Sequence, residues 1–143
     1  MSNIRPERAN ELRAIPLFRA CRDRDLVQVD GLVDDIEVET GEMLIEEGRV
    51  ARQSFVIMSG DAAVTRGGER LATLRAGDFF GEMALVDGSL RSATVTATTP
   101  MRILVLDPRS FWSLIGIANV AQVLLRGIVE RLRQADEALA SNR

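Results

Sequence analysis

Between Leu32 and Leu106 the apolar residues come in short runs, and glycine separates most of them. The runs are Ile36-Glu37-Val38, Met43-Leu44-Ile45, Phe55-Val56-Ile57-Met58, Ala62-Ala63-Val64, Leu71-Ala72-Thr73-Leu74, Thr94-Val95-Thr96-Ala97 and Ile103-Leu104-Val105-Leu106. Gly41, Gly48, Gly60, Gly67-Gly68, Gly77 and Gly88 punctuate them. Runs this short suit strands better than helices, and a turn roughly every 8–12 residues reads as a sandwich or barrel. So few residues per strand favour a compact rolled sheet. The expected fold is α+β: a roll of eight strands, of jelly-roll or double-stranded β-helix type. Gly67-Gly68, between Val64-Thr65 and Leu71, reads as a hairpin turn.

Helical segments flank the roll on both sides. Pro6 suits a first helical turn, Pro16 ends that helix, and Leu17-Phe18 offers an apolar anchor. Asp23 is expected to cap a second helix that Gly31 stops, although the valines there keep a strand open. After the roll, Asp107 before Pro108 predicts an N-cap and a short helix through Phe111, Leu114 and Ile115, broken near Gly116 to Asn119. A longer helix then spans about Val120 to Leu139. Ala121, Leu125, Ile128, Leu132, Ala135 and Leu139 recur at alternating steps of four and three, the seam of a coiled coil. That stripe packs either on the roll of its own chain or on a partner helix, a second copy above all. The 143 residues are read as one domain: an N-terminal helical segment at 1–31, the roll at 32–107 and two C-terminal helices at 108–141.

Composition removes several functions. The chain has no histidine, which excludes imidazole triads, imidazole bases and His-built metal sites. Its one cysteine, Cys21, excludes an internal disulfide and a cysteine zinc cluster. All 18 basic residues are arginine, and the net charge is −3, so no overall basic field attracts nucleic acid or an anionic membrane. No apolar run reaches the ~20 residues of a membrane span, and the polar start of the chain lacks a secretory core, so a cytoplasmic location is expected. A hydrolase built from carboxylates alone (Asp34, Asp35, Glu46, Glu47) is conceivable, but solvated strand edges explain those acids as well.

The informative stretch runs from Arg75 to Val95. Phe79 and Phe80 form an aromatic pair in a chain with 4% aromatics. Gly81 permits a close approach or an unusual backbone angle. Glu82 to Leu85 favour a helix that Gly88 ends within two turns, and the start of that helix offers unpaired N–H groups to an anion. Arg91, at the start of a strand expected over Ser92 to Ala97, supplies a planar fork for phosphate oxygens. Glu82 near a phosphate needs its own task, and a carboxylate accepts a hydrogen bond from a sugar hydroxyl. Together these features describe a site for a ribose phosphate. Read singly, Arg91 is a surface charge, Glu82 a helix-capping charge, and the two phenylalanines core.

Phe80-Gly81-Glu82-Met83-Ala84-Leu85, followed by Arg91-Ser92-Ala93-Thr94-Val95, resembles the phosphate-binding cassette of cyclic nucleotide-binding domains, here at 77–95. The resemblance implies that Arg91 binds the exocyclic oxygens of a cyclic phosphate and that Glu82 accepts from the ribose 2′-OH. It implies that backbone N–H groups at Gly81, Met83 and Ala84 line the sugar phosphate, with Ser92 and Ala93 beside the phosphate and Phe80 among the ligand-binding residues. Val64 and Leu71 are the implied wall for the base, and a residue of the long helix (Leu132, Arg133, Ala135 or Asp136) the implied cover. The implied function is a regulatory binding module, not an enzyme. Its ligand is cAMP, with cGMP as the alternative. It needs no cofactor or metal, and it signals to a protein partner with no direct DNA binding. A partner-binding protein with a degenerate pocket is the competing reading, against which the intact Glu82 and Arg91 stand.

Overall fold

The computed structural model describes residues 3–141. The N-terminal segment forms α1 (Pro6–Arg13), a 3-10 turn (Pro16–Phe18) and α2 (Asp23–Leu32). Asp23 is not the cap of α2. Arg22 holds that position, and its backbone N–H donates to Asp25 at 3.0 Å. Gly31 lies inside the helix, which closes one residue later at Leu32.

Eight strands follow, with a short helix among them: β1 (Asp34–Val38), β2 (Met43–Ile45), β3 (Ser54–Ser59), β4 (Ala62–Arg66), β5 (Glu69–Leu74), β6 (Phe79–Phe80), α3 (Met83–Asp87), β7 (Thr94–Ala97) and β8 (Met101–Leu106). They pair antiparallel in two four-stranded sheets, ordered β1-β8-β3-β6 and β2-β7-β4-β5. This is the expected roll. The Phe79-Phe80 pair turns out to be a strand of its own, facing Val56 and Phe55 of β3. Strand β7 starts later than expected, at Thr94, because Leu90 bridges Val50 and the Arg91 backbone is held by Arg49 and Gly48.

The continuous apolar runs of β3 and β8 reflect burial on both faces. Side chains alternate along a strand. Phe55, Ile57, Ile103 and Val105 point between the sheets with Ile45, Phe80 and Val95. Val56, Leu104 and Leu106 point the other way, onto Leu12, Phe18, Leu26, Phe111 and Leu114 of the helical layer. Two cores therefore share β3 and β8, and the helices are bonded to the roll through that common wall.

The C-terminal helices are α4 (Pro108–Ile115) and α5 (Ala118–Ser141). Asp107 caps α4 as expected, accepting from the Ser110 backbone N–H at 2.7 Å. The two helices meet at 94°, and among the described residues no single helix is long and apolar enough to cross a membrane. The start of α5 is fastened: Ile117 and Val120 are buried, and the Asn119 amide donates to Asp25 of α2 at 2.8 Å. Beyond Leu124, every described residue of α5 is exposed.

Candidate functional site

Strand β6 ends at Phe80, stacked on Phe55 with ring centroids 5.1 Å apart. The chain then turns through Gly81 at φ 85°. A side chain there would be strained. Its Cβ would also lie 3.2 Å from the Arg91 guanidinium, 3.2 Å from Ile45 and 3.3 Å from Phe55. Glu82 stands at the N-terminal boundary of α3 with no side-chain hydrogen bond to the helix, and Gly88 ends it in the left-handed region at φ 72°. With only five residues, α3 carries little macrodipole. What it offers a ligand is its first backbone N–H groups, which have no partner within the helix.

Arg91 is buried, 9% exposed. Its Nη1 donates to the Gly81 carbonyl at 2.7 Å and its Nη2 to the Gln53 carbonyl. The guanidinium thus ties the cassette to the loop before β3. It is a structural strut as well as a candidate phosphate ligand, a role the sequence reading missed. A guanidinium has five N–H donors, so the fork still has hydrogens free for an anion. Burial lowers the Arg91 pKa, and the Glu82 carboxylate opposes that shift. Burial also raises Glu82 above the ordinary carboxylate range, against the charges of Arg131 and Arg91. Desolvation therefore dominates at both groups.

One cleft of about 480 Å³ collects Val64, Phe80, Gly81, Glu82, Met83, Ala84, Arg91, Ser92 and Ala93. Leu71 does not belong to it. Residues directly opposite in an antiparallel ladder share a face. Ala62 and Val64 oppose Leu74 and Ala72, so Leu74, half-buried, shares their inner face while Leu71 points to solvent, 48% exposed. Leu74 lines the cleft in its place. From α5 it is Arg131 that lines the cleft, and none of Leu132, Arg133, Ala135 and Asp136 does. Arg131 lies one position before the seam residue Leu132; nothing in the sequence singled it out.

The carboxylates of the hydrolase alternative lie elsewhere. Asp35 pairs with Arg8 and Arg102, Glu46 with Arg49, and Glu47 accepts from the Gly67 backbone. Cys21 is buried and its thiol is pushed up to about 11, mainly by burial, which leaves it unreactive at neutral pH.

Comparison with known proteins bears on this cleft. A family model for the cyclic nucleotide-binding domain matches residues 35–117. The chain is 32% identical over 133 residues to the cAMP-dependent protein kinase regulatory subunit of Eremothecium gossypii, a match covering 92% of this chain and 27% of that protein. It is 30% identical over 138 residues to cGMP-dependent protein kinase 2 of Homo sapiens, covering 90% of this chain and 18% of that one. The catabolite activator protein of Thermus thermophilus superposes with a TM-score of 0.77 at 28% identity, covering 87% of this chain and 62% of that chain. The chain thus spans about a quarter of the first relative and less than a fifth of the second.

Proposed function

The chain belongs to the cyclic nucleotide-binding domain family, and on that premise we propose that it is a cytoplasmic regulatory module that binds cAMP in the cleft between α3 and β7 and passes the event to α5. The observation that carries this reading is convergence. Arg91, Glu82 and the Gly81–Ala84 backbone surround one cleft, and Arg131 of α5 lines the same space. The cyclic phosphate takes the free hydrogens of Arg91 and the N–H groups of Gly81, Met83 and Ala84. The ribose 2′-OH donates to the Glu82 carboxylate, and the base lies along Val64 and Leu74.

Coupling follows from Arg131. Its charge acts on Glu82 across the cleft. A ligand that donates to Glu82 and brings a phosphate changes the field at Arg131. Such a ligand favours one placement of α5 over another, and only that difference in affinity moves the helix. A coupling of roughly 1–3 kcal/mol is ordinary for such a device. The movable part is the distal half of α5, since its start is fastened by Val120 and by the Asn119–Asp25 bond. The break expected at Gly116 to Asn119 is the 94° corner between α4 and α5; the hinge of the movement lies further along, at Gly127, the residue of lowest helix propensity in the exposed half of α5. A protein partner reads the displaced helix, and its apolar seam makes a second copy of the chain one such reader.

Calorimetric titration with cAMP and cGMP tests the reading. The expected result is micromolar binding or tighter, about −8 kcal/mol, for at least one of them. Ser92 lines the cleft, and its hydroxyl favours cGMP as the second ligand by accepting from the guanine amino group. Absence of heat and of competition with both nucleotides refutes the proposal.

A further inference from the structure

We propose that Arg66, at the end of β4, is a positioning residue for the phosphate end of the cleft: it sets the peptide between Ser92 and Ala93 so that the Ala93 N–H faces the ligand. This role rests on the nucleotide reading of that cleft. The ladder between β4 and β7 stops at Thr65 opposite Thr94. On the other side Arg91 is tied to the loop before β3. Its backbone N–H donates to the Arg49 carbonyl at 2.8 Å, and its carbonyl accepts from the Gly48 N–H at 2.8 Å. Ser92 and Ala93 cross from one partner to the other outside any strand. One side-chain bond holds this crossing: the Nε of Arg66 donates to the Ser92 carbonyl at 2.8 Å. Among the described residues, nothing accepts from the Ser92 or Ala93 N–H.

The orientation follows from covalent geometry. Among the described residues every peptide is trans. A trans peptide is planar, and its carbonyl points opposite to the N–H of the next residue. Ser92 and Ala93 line the cleft, and Arg66 does not. Drawing the Ser92 oxygen outward to Arg66 therefore turns the Ala93 N–H inward, toward the side that Arg91 and Gly81 line. A peptide free to rotate would present its oxygen there for part of the time, and an oxygen repels a phosphate. Arg66 removes that alternative before the ligand arrives, so less ordering is left to binding. The arginine is exposed and, among the described residues, has no ion pair and no other side-chain hydrogen bond. Gly67, next to it, donates its N–H to Glu47 at 3.2 Å, which fixes the hairpin against the loop that also holds Arg91.

Two variants of the full chain separate the bond from the charge. Arg66→Met keeps the stem and removes the donor. In Arg66→Gln the amide nitrogen stands as many bonds from Cα as the arginine Nε, so the donor stays and the charge goes. The test is calorimetry with cAMP and with its two phosphorothioate diastereomers, in which sulfur replaces one exocyclic oxygen or the other. Arg66→Met should bind cAMP about five- to tenfold more weakly and should narrow the affinity ratio of the diastereomers. Arg66→Gln should keep both within about threefold of wild type. Without nucleotide, the nitrogen resonance of the Ala93 amide should shift in Arg66→Met and stay in place in Arg66→Gln. The side chain is exposed, so Tm should fall by no more than about 2 °C in either variant. A Gln variant as weak as the Met variant assigns the effect to charge and overturns the positioning role. So does an equal loss for both diastereomers, the mark of a merely structural part. A wild type that binds cAMP, matched by Arg66→Met in affinity and ratio, overturns the role of Arg66 alone. A wild type that binds neither cAMP nor cGMP overturns the nucleotide reading and this role with it.

Discussion

Arg91→Ala should unfold this protein more easily before any ligand is added. The guanidinium bonds two backbone carbonyls, of Gly81 and of Gln53, from a position 9% exposed. A charge-assisted hydrogen bond contributes about 1.5–3 kcal/mol. Two such bonds set a ceiling of roughly 3–6 kcal/mol, and water entering the open cleft will recover part by solvating the freed carbonyls. The expected net loss is about 2–3 kcal/mol. With an unfolding entropy of roughly 2.1 cal/mol/K per residue, 143 residues convert that loss into a fall in Tm of about 7–10 °C. Thermal and urea unfolding of the ligand-free variant measure it, and calorimetry on the folded variant separately measures nucleotide binding. Binding should weaken by at least ~2 kcal/mol through the lost phosphate contact. A variant as stable as wild type refutes the strut, whatever happens to binding. Unchanged binding places the phosphate elsewhere, whatever happens to stability.

Glu82→Gln should weaken cyclic nucleotides more than their 2′-deoxy analogues, and equal losses remove the ribose role. The same change should stabilise the empty protein at pH 7. Glu82 is raised in the folded state, so its contribution is complete below the ordinary carboxylate pKa and is lost as pH rises through the folded value. The Gln variant should lack that decline as pH rises above the ordinary carboxylate value, followed by chemical unfolding, and a parallel pH curve argues against a desolvated carboxylate. Gly81→Ala should lower both stability, by about 1–3 kcal/mol, and nucleotide affinity, since strain and the contact with Arg91 act together; a neutral result contradicts the close approach. Arg102→Ala removes the centre of the network with Glu11 and Asp35 that joins α1 to β1 and β8. At a third exposed, the network's contribution should be about 1 kcal/mol and should shrink in high salt. Both carboxyls are held below their usual range, chiefly by the Arg102 hydrogen bonds. Their contribution is therefore present above that range and lost as pH falls through the folded values, so the variant's deficit should vanish in acid. Trp112, half exposed beside the α5 groove, should change its fluorescence on nucleotide binding, and a flat signal argues against movement of the helix there.

The strands were legible because their signal is local. Period-two burial and turn residues act within a few positions, and β2, β4, β7 and β8 lie close to their apolar runs. The cap at Asp107 is equally local. Less legible were features that depend on how one strand is phased against another. Leu71 and Leu74 look alike in the sequence, and a register shift between Val64 and Thr65 lies in the ladder that turns one out and the other in. Phe79 and Phe80 pack in the core as their apolar character suggests, but that they also form a strand shows only when β3 is laid beside them.

By itself, then, the order of residues determined an antiparallel roll, its helical flanks and the chemistry available at the cassette, since spacing along the backbone dictates all three. Only the folded chain decided which acceptors Arg91 engages, and that Arg131 shares a space with Glu82. A carbonyl such as that of Gln53 carries no side-chain signature, and the angle at which α5 leaves α4 is set by packing of residues far apart in the chain.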